Sequence, residues 1–463
     1  MKWSVIQRIV GLLLMMFSIT MLTPVIFSVI YNENNWAPFL ISFLITFFSG
    51  LLIWLPTRQS GNDLRLRDGF IVVALFWVVL GIFGAAPLYL ASLPVMSLTD
   101  AIFESISGLT TTGATVISGL DLLPKSILFY RQQLQWLGGM QLYRAEAPGP
   151  IKDNKLTPRI TETAKALWYV YLTLTILCSA SYYFAGMNFF DALSHAFSTI
   201  AIGGFSTHDQ SIGYFNSSKI DLIAIFFMFI AGANFSLHFF SWRNKSLTHY
   251  LNDQEFKAYT KILLAISVFV ILTLFFSNFL DNNFIITGLF QAISITTTTG
   301  FTTSEFASWP GAIPVVLILA SFIGGSAGST AGGIKVIRFL LIYKQGVREI
   351  QRLVHPNAEI PVKLGNNAIS YRVVDAVWGF FSIYFIIFAL MMIAMMMAGL
   401  DQVTAFSAVA ATLNNLGPGL GEVANGFMLM PAIAKWIAII GMLLGRLEIF
   451  TLLVLFTPTF WRH

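Results

Sequence analysis

Four short stretches carry residue types from which a cation site can be built out of backbone rather than side chains. They read Ser107-Gly108-Leu109-Thr110-Thr111-Thr112-Gly113-Ala114-Thr115, Ser198-Thr199-Ile200-Ala201-Ile202-Gly203-Gly204-Phe205-Ser206, Ser294-Ile295-Thr296-Thr297-Thr298-Thr299-Gly300-Phe301-Thr302 and Ala411-Thr412-Leu413-Asn414-Asn415-Leu416-Gly417-Pro418-Gly419. Anchored on Gly113, Gly204, Gly300 and Gly417 they align without a gap, which makes them an internal repeat. A loop that turns several carbonyls toward one axis needs dihedrals that only glycine adopts cheaply. Four such loops around an axis can replace a cation's hydration shell with peptide oxygens. A single Gly-Thr cluster would be an ordinary loop; four in register argue for a shared site. The residues expected to face the ion are Thr111, Thr112, Gly113, Ile202, Gly203, Gly204, Thr298, Thr299, Gly300, Asn415, Leu416 and Gly417.

Each loop needs an element to aim it. Thirteen positions before each glycine stands a residue of helix-capping type, Asp100, Asp191, Thr287 and Thr404, followed by Ala101, Ala192, Gly288 and Ala405. About ten helix-compatible residues follow, a helix of roughly 15 Å, half the hydrocarbon thickness of a bilayer. The C-terminal ends of such helices point negative dipole toward the loops, which favours a cation. Five positions beyond the glycines stand Ser118, Asp209, Glu305 and Glu422. The three acids are read as a ring that concentrates cations at an outer mouth, ordinary solvated loop acids being the plainer alternative.

The rest of the chain is built for lipid. Of its 463 residues 56% are hydrophobic and only 11% charged, with a mean hydropathy of +0.75. Soluble domains carry about 25% charged residues, so the class is a polytopic all-α membrane protein. The net charge of +5 sits in short loops between apolar spans and gives no reason to expect a nucleic-acid partner. Cys178, the single cysteine, lies in an apolar run and excludes an intrachain disulfide. No signal-peptide cleavage pattern is expected after Met1, because the first apolar stretch continues into a second.

Residues 1–57 read as an N-terminal hairpin of two spans, after which a span, a capped half-helix with its loop and a return span recur four times. The repeats are placed at 68–143, 162–245, 255–346 and 367–463. The return spans are expected at about Ser126 to Met140, Ile220 to Phe240, Trp309 to Tyr343 and Met428 to Phe456. Lys and Arg cluster at 58–67, 144–165, 243–261 and 335–372, so the positive-inside rule puts both termini in the cytoplasm and the loops outward.

Three features break the pattern. The first return span carries Lys125, Arg131, Gln132, Gln133 and Gln135 and is too short and too polar for an ordinary span. The glycine spacing of 91 residues there, against 96 and 117 later, leads us to expect that about twenty apolar residues are missing after Gly139. The third return span is interrupted by Gly324-Gly325-Ser326-Ala327-Gly328-Ser329-Thr330-Ala331-Gly332-Gly333, which cannot stay a regular helix. Irregular backbone at membrane depth lines protein or water, so this run is a candidate gate below the loops, with a small-residue packing seam as the alternative. Arg446 lies within the last span, where it either bars a cation path and meets the glycine-rich run or snorkels to the interface. His195 reads as a packed histidine rather than a ligand.

The four loop segments, the break running on into Gly332-Gly333-Ile334-Lys335-Val336-Ile337-Arg338, and Gly445-Arg446 together resemble the Trk/Ktr/HKT superfamily of potassium transporters, most closely its bacterial TrkH-type membrane subunits. The resemblance covers essentially the whole chain. It implies four span–pore loop–span repeats around a pseudo-fourfold pore, with Gly113, Gly204, Gly300 and Gly417 as filter glycines. It further implies K+ as the transported ion, with Gly113 rather than serine favouring potassium over sodium. Gly324, Gly325, Ser326, Gly328, Ser329, Thr330, Gly332 and Gly333 would form a gating loop that Arg446 helps to close. A homodimer in the bacterial inner membrane, docked to a ring of cytosolic nucleotide-binding regulatory subunits, is implied as well. No dinucleotide or P-loop motif stands in the required setting, so no organic cofactor is expected on this chain. A cation-coupled secondary transporter is the alternative; its signature is two inverted halves, whereas this chain shows four parallel copies. An enzyme is not expected, since the six histidines are scattered and no His-Glu-x-x-His occurs.

Overall fold

The structure, a computed structural model, describes residues 2–60, 65–140, 160–279, 283–365 and 367–461. Among these the chain is helical almost throughout, the one strand pair being Lys363–Leu364 against Asn367–Ala368. Six helices or stacked helix pairs are long and apolar enough to cross a bilayer: Trp3–Ile30, Ala37–Thr57, Arg67–Leu90, Ala164–Phe184, Gln254–Phe276 and Tyr371–Met397. Their exposed faces are rich in Phe, Leu, Ile and Trp, as lipid contact requires.

Four short helices stand inside this wall: Leu98–Leu109, Phe189–Ala201, Phe284–Thr296 and Gln402–Leu413. All are buried along most of their length. At about 1.5 Å per residue they reach roughly 18–20 Å, somewhat longer than the sequence spacing suggests. The difference lies at their starts. The N-caps are Ser97, Asn188, Asn283 and Asp401. Asp100 and Asp191 stand instead three residues into the turn, each accepting a hydrogen bond from its cap's side chain and donating its N–H back to it. Asp401 accepts from Val403 and Thr404 N–H groups at 2.9 and 3.2 Å.

The return helices depart from straight spans. The second breaks after Ala231 and turns by 94° into Phe235–Asn244. The fourth breaks after Arg446 and turns by 104° into Phe450–Phe456. The third runs as Ile313–Ser321, then the glycine-rich stretch, then Val336–Val354. The sequence announces only this last interruption.

The first return helix, Lys125–Gly139, is the polar one, and it is not a lipid-facing element at all. Arg131, Gln132 and Gln135 are fully buried, and Gln133 nearly so. The N-terminal hairpin covers it and serves its first turn and Gln133. Glu33 in the hairpin turn accepts from Lys125 N–H at 2.6 Å and Ser126 N–H at 3.1 Å, capping the helix start. Gln133 is held by the Thr20 carbonyl and the Thr23 hydroxyl at 2.9 and 2.8 Å. The expected loss of about twenty residues after Gly139 falls at 141–159, outside the described residues.

Candidate functional site: a ring of four backbone loops

The loops that leave the four short helices share one backbone pattern. Thr111, Ile202, Thr298 and Asn415, each two residues before its glycine, have φ of 54°, 52°, 64° and 54°. Gly113, Gly204, Gly300 and Gly417 have φ of 79°, 79°, 84° and 98°. Left-handed residues separated by one residue of ordinary hand turn successive carbonyls toward one side, which an extended or helical strand does not do. The strain at these four positions, two threonines, an isoleucine and an asparagine, is tolerated because the loops are locked from behind. The helix ends are closed by Thr112, Gly203, Thr299 and Leu416 N–H groups bonding back to Ser107, Ser198, Ser294 and Ala411 carbonyls at 2.8–2.9 Å.

The loops also touch each other in cyclic order. A β-carbon on Gly113 would collide with the Gly203 carbonyl oxygen, one on Gly204 with that of Thr299, and one on Gly300 with that of Leu416. One on Gly417 would meet the Thr112 oxygen at 2.7 Å, which closes the circle. Each glycine therefore lies against the carbonyl just before the glycine of the next repeat. Asn415 reinforces the last junction through its amide, which donates to the Thr112 hydroxyl at 2.9 Å. All twelve residues expected to face an ion are thus brought to one place. Above them opens a cavity of about 390 Å³ floored by Gly113, Gly204, Gly300 and Gly417.

The three outer acids are exposed but not equivalent. Asp209 lines this cavity and binds the Gly119 N–H at 3.0 Å, Glu305 lines an adjoining one with Asp209, and Glu422 lines neither. His208, which sequence reasoning passed over, is more deeply engaged: its ring bonds Asp121 and Asp191 and stacks on Tyr214 at 3.5 Å. Burial alone would lower its pKa, but the two carboxylates outweigh that and raise it above 6.5. His195 is buried between the Asp191 carbonyl and the Ser206 hydroxyl, 2.9 Å from each. Among the described residues no group of three or more His, Cys, Asp or Glu side chains could hold a metal ion, and a cation held by peptide oxygens needs none.

On the opposite side of the ring lies the 324–333 stretch. Gly324, Gly328 and Gly333 have φ of 68°, 70° and 74°, and Ser326, Ser329 and Thr330 are buried. It reaches the ends of three short helices. Thr330 donates its hydroxyl to the Ile200 carbonyl at 3.0 Å, Gly332 N–H to the Thr298 hydroxyl at 2.7 Å, and Gly333 N–H to the Asn414 carbonyl at 3.1 Å. Gly325 packs against Ala331 and the Gly232 carbonyl at the break of the second return helix. Arg446, the last residue before the 104° bend, donates to the Thr330 carbonyl at 3.3 Å and the Gly138 carbonyl at 2.9 Å. Its guanidinium meets the stretch instead of snorkelling away.

Apolar spans enclosing four re-entrant helices, with a backbone-lined ring at their C-terminal ends, define a membrane transport protein for cations rather than an enzyme. The chain belongs to the TrkH family, described as cation transport proteins, whose profile matches residues 37–462. Over its whole length it is 53% identical to the Trk system potassium uptake protein TrkH of Halomonas elongata and 51% identical to that of Escherichia coli strain K12, covering all of each. The first of these alignments spans 484 positions against 463 residues here, so the relative carries residues without a counterpart in this chain. The crystal structure of the potassium transporter TrkH from Vibrio parahaemolyticus superposes with a TM-score of 0.96 at 53% identity, covering all of both chains.

Proposed function

We propose that the chain is a potassium-selective conduit for uptake across the bacterial inner membrane, with both termini in the cytoplasm. The observation that carries this reading is the closed circle of glycines and carbonyls, in which left-handed backbone at Thr111, Ile202, Thr298 and Asn415 aims peptide oxygens at one axis. K+ sheds water there, steered by Asp209 at the mouth, and is driven inward by the membrane potential at about 2.3 kcal/mol per charge per 100 mV. The names of the relatives support potassium as the ion.

The 324–333 stretch acts as the gate and Arg446 as its latch, a reading supported by their contacts to Ile200, Thr298 and Asn414 below the ring. A homodimer and a cytosolic nucleotide-binding ring would act on that gate through the helix Val336–Val354, which continues directly from it. The test is rubidium uptake into proteoliposomes with sodium as competitor. Selective rubidium uptake is expected; equal passage of both ions refutes the selective filter.

A further inference from the structure

The four repeats do not support their loops with the same side chains. Nine residues before the loop glycine stand Glu104, His195, Gln291 and Ala408. The first three are fully buried and reach outward along their own repeat. Glu104 accepts from the Thr115 hydroxyl at 3.0 Å and the Val116 N–H at 3.0 Å. His195 bonds the Ser206 hydroxyl at 2.9 Å, and Gln291 accepts from Thr303 N–H at 3.4 Å. Only Glu104 is charged, and the charge is answered by Arg131 of the polar return helix, whose Nε donates to it at 2.7 Å. Among the described residues this is the ion pair with both partners at 1% exposure or less.

Arg131 does more than neutralise. Its remaining nitrogens donate to the Ser206 carbonyl and the Thr115 hydroxyl, both at 3.1 Å, and its guanidinium lies 4.2 Å from the centre of the Phe205 ring. One side chain therefore grips the outer limbs of the first and second loops together. One helical turn on, Gln135 donates to the Gly203 carbonyl at 2.6 Å and accepts from Phe205 N–H at 3.1 Å. The Gly203 oxygen is the one against which Gly113 lies. The spacing between loops one and two is thus fixed by side chains of the helix Lys125–Gly139.

We propose that Glu104 and Arg131 are specificity-determining positioning residues: together they hold the first and second loops at the separation that suits K+ and stop the ring from closing on the smaller Na+. A planar fork of donors in a dry site sets geometry as well as charge, which a flexible ammonium does not. The inference rests on reading the four loops as the filter.

The test is the ratio of sodium to rubidium uptake by the full chain in proteoliposomes, at matched amounts of folded protein. The unaltered chain is the check on the filter reading; if it passes both ions equally, that reading and this inference fall together. Glu104→Gln with Arg131→Met removes both charges at similar volume, so no buried ion is left unpaired. It is expected to keep rubidium uptake while raising the sodium ratio about tenfold, equivalent to about 1.4 kcal/mol. Arg131→Lys keeps the charge but cannot span Glu104, Thr115 and Ser206, so a raised ratio is expected there too. A selective unaltered chain with an unchanged ratio in either variant overturns the inference alone. If the double variant yields no folded protein, Thr115→Val, which removes the hydroxyl shared by both partners, decides: a raised ratio supports the brace and an unchanged one refutes it.

Discussion

Replacing Arg446 with alanine separates a latch from a structural arginine. The guanidinium donates to two carbonyls of different kind: that of Gly138 on a packed helix, and that of Thr330 in the stretch proposed to move. If the stretch alone moves, as the gate reading has it, the Gly138 bond contributes equally to both states. The Thr330 bond then distinguishes them. A hydrogen bond from a charged donor is worth about 1.5–3 kcal/mol. Losing it from one state shifts the equilibrium between seated and displaced stretch by about 10- to 150-fold. Rubidium uptake into proteoliposomes should rise accordingly in Arg446→Ala, up to the point where the open state dominates. Arg446→Lys, with one compact donor group, should fall between. Unchanged uptake in Arg446→Ala, at equal protein in the vesicles, would show that the bond to Thr330 does not differ between the states.

Three further outcomes are expected. Gly113→Ser puts a β-carbon on the Gly203 carbonyl at φ +79° and should raise the sodium to rubidium ratio about tenfold, whereas Gly119→Ala, at φ +72° with open space, should cost about 1–2 kcal/mol of stability and leave the ratio alone. The His208 clamp, with its pKa raised by Asp121 and Asp191, should stabilise fully below 6.5, the unfolded value, and progressively less as pH rises through the raised folded value. Melting followed against pH should show this loss in the parent chain and not in His208→Gln. Asp401→Ala removes the acceptor for Val403 and Thr404 N–H groups and should lower stability, read as a drop in Tm.

The repeats were legible because left-handed backbone at a glycine leaves a mark that survives divergence of everything around it. The first two helix starts were misread by three residues because Asp100 and Asp191 belong to reciprocal capping pairs, and the acid of such a pair looks as much like a cap as Ser97 or Asn188 does. The polar first return helix looked defective because sequence cannot show that a hairpin 90 residues away supplies Glu33 and Thr20 to it. The bend after Arg446 was invisible for another reason. It runs through Glu448 and Ile449 at φ of 52° and 50°, conformations that local preference opposes. Burial of Ile449 and the Arg338–Glu448 ion pair impose them from elsewhere in the fold. The exposed acid at Glu422 stands beside Val423 and Ala424 of the cavity wall without lining it, while His208 was overlooked because its partners Asp121 and Asp191 are not neighbours in sequence.

The circle in which each glycine rests on its neighbour's oxygen is made by a single polypeptide. In an assembly of four identical subunits any substitution would strike all quarters at once, so a tolerable change and a lethal one would be hard to tell apart. Here each quadrant can drift alone, and the Thr-Thr-Gly, Ile-Gly-Gly, Thr-Thr-Gly and Asn-Leu-Gly versions are the record of that freedom. Covalent continuity has turned a symmetric machine into one that can be tuned a quarter at a time.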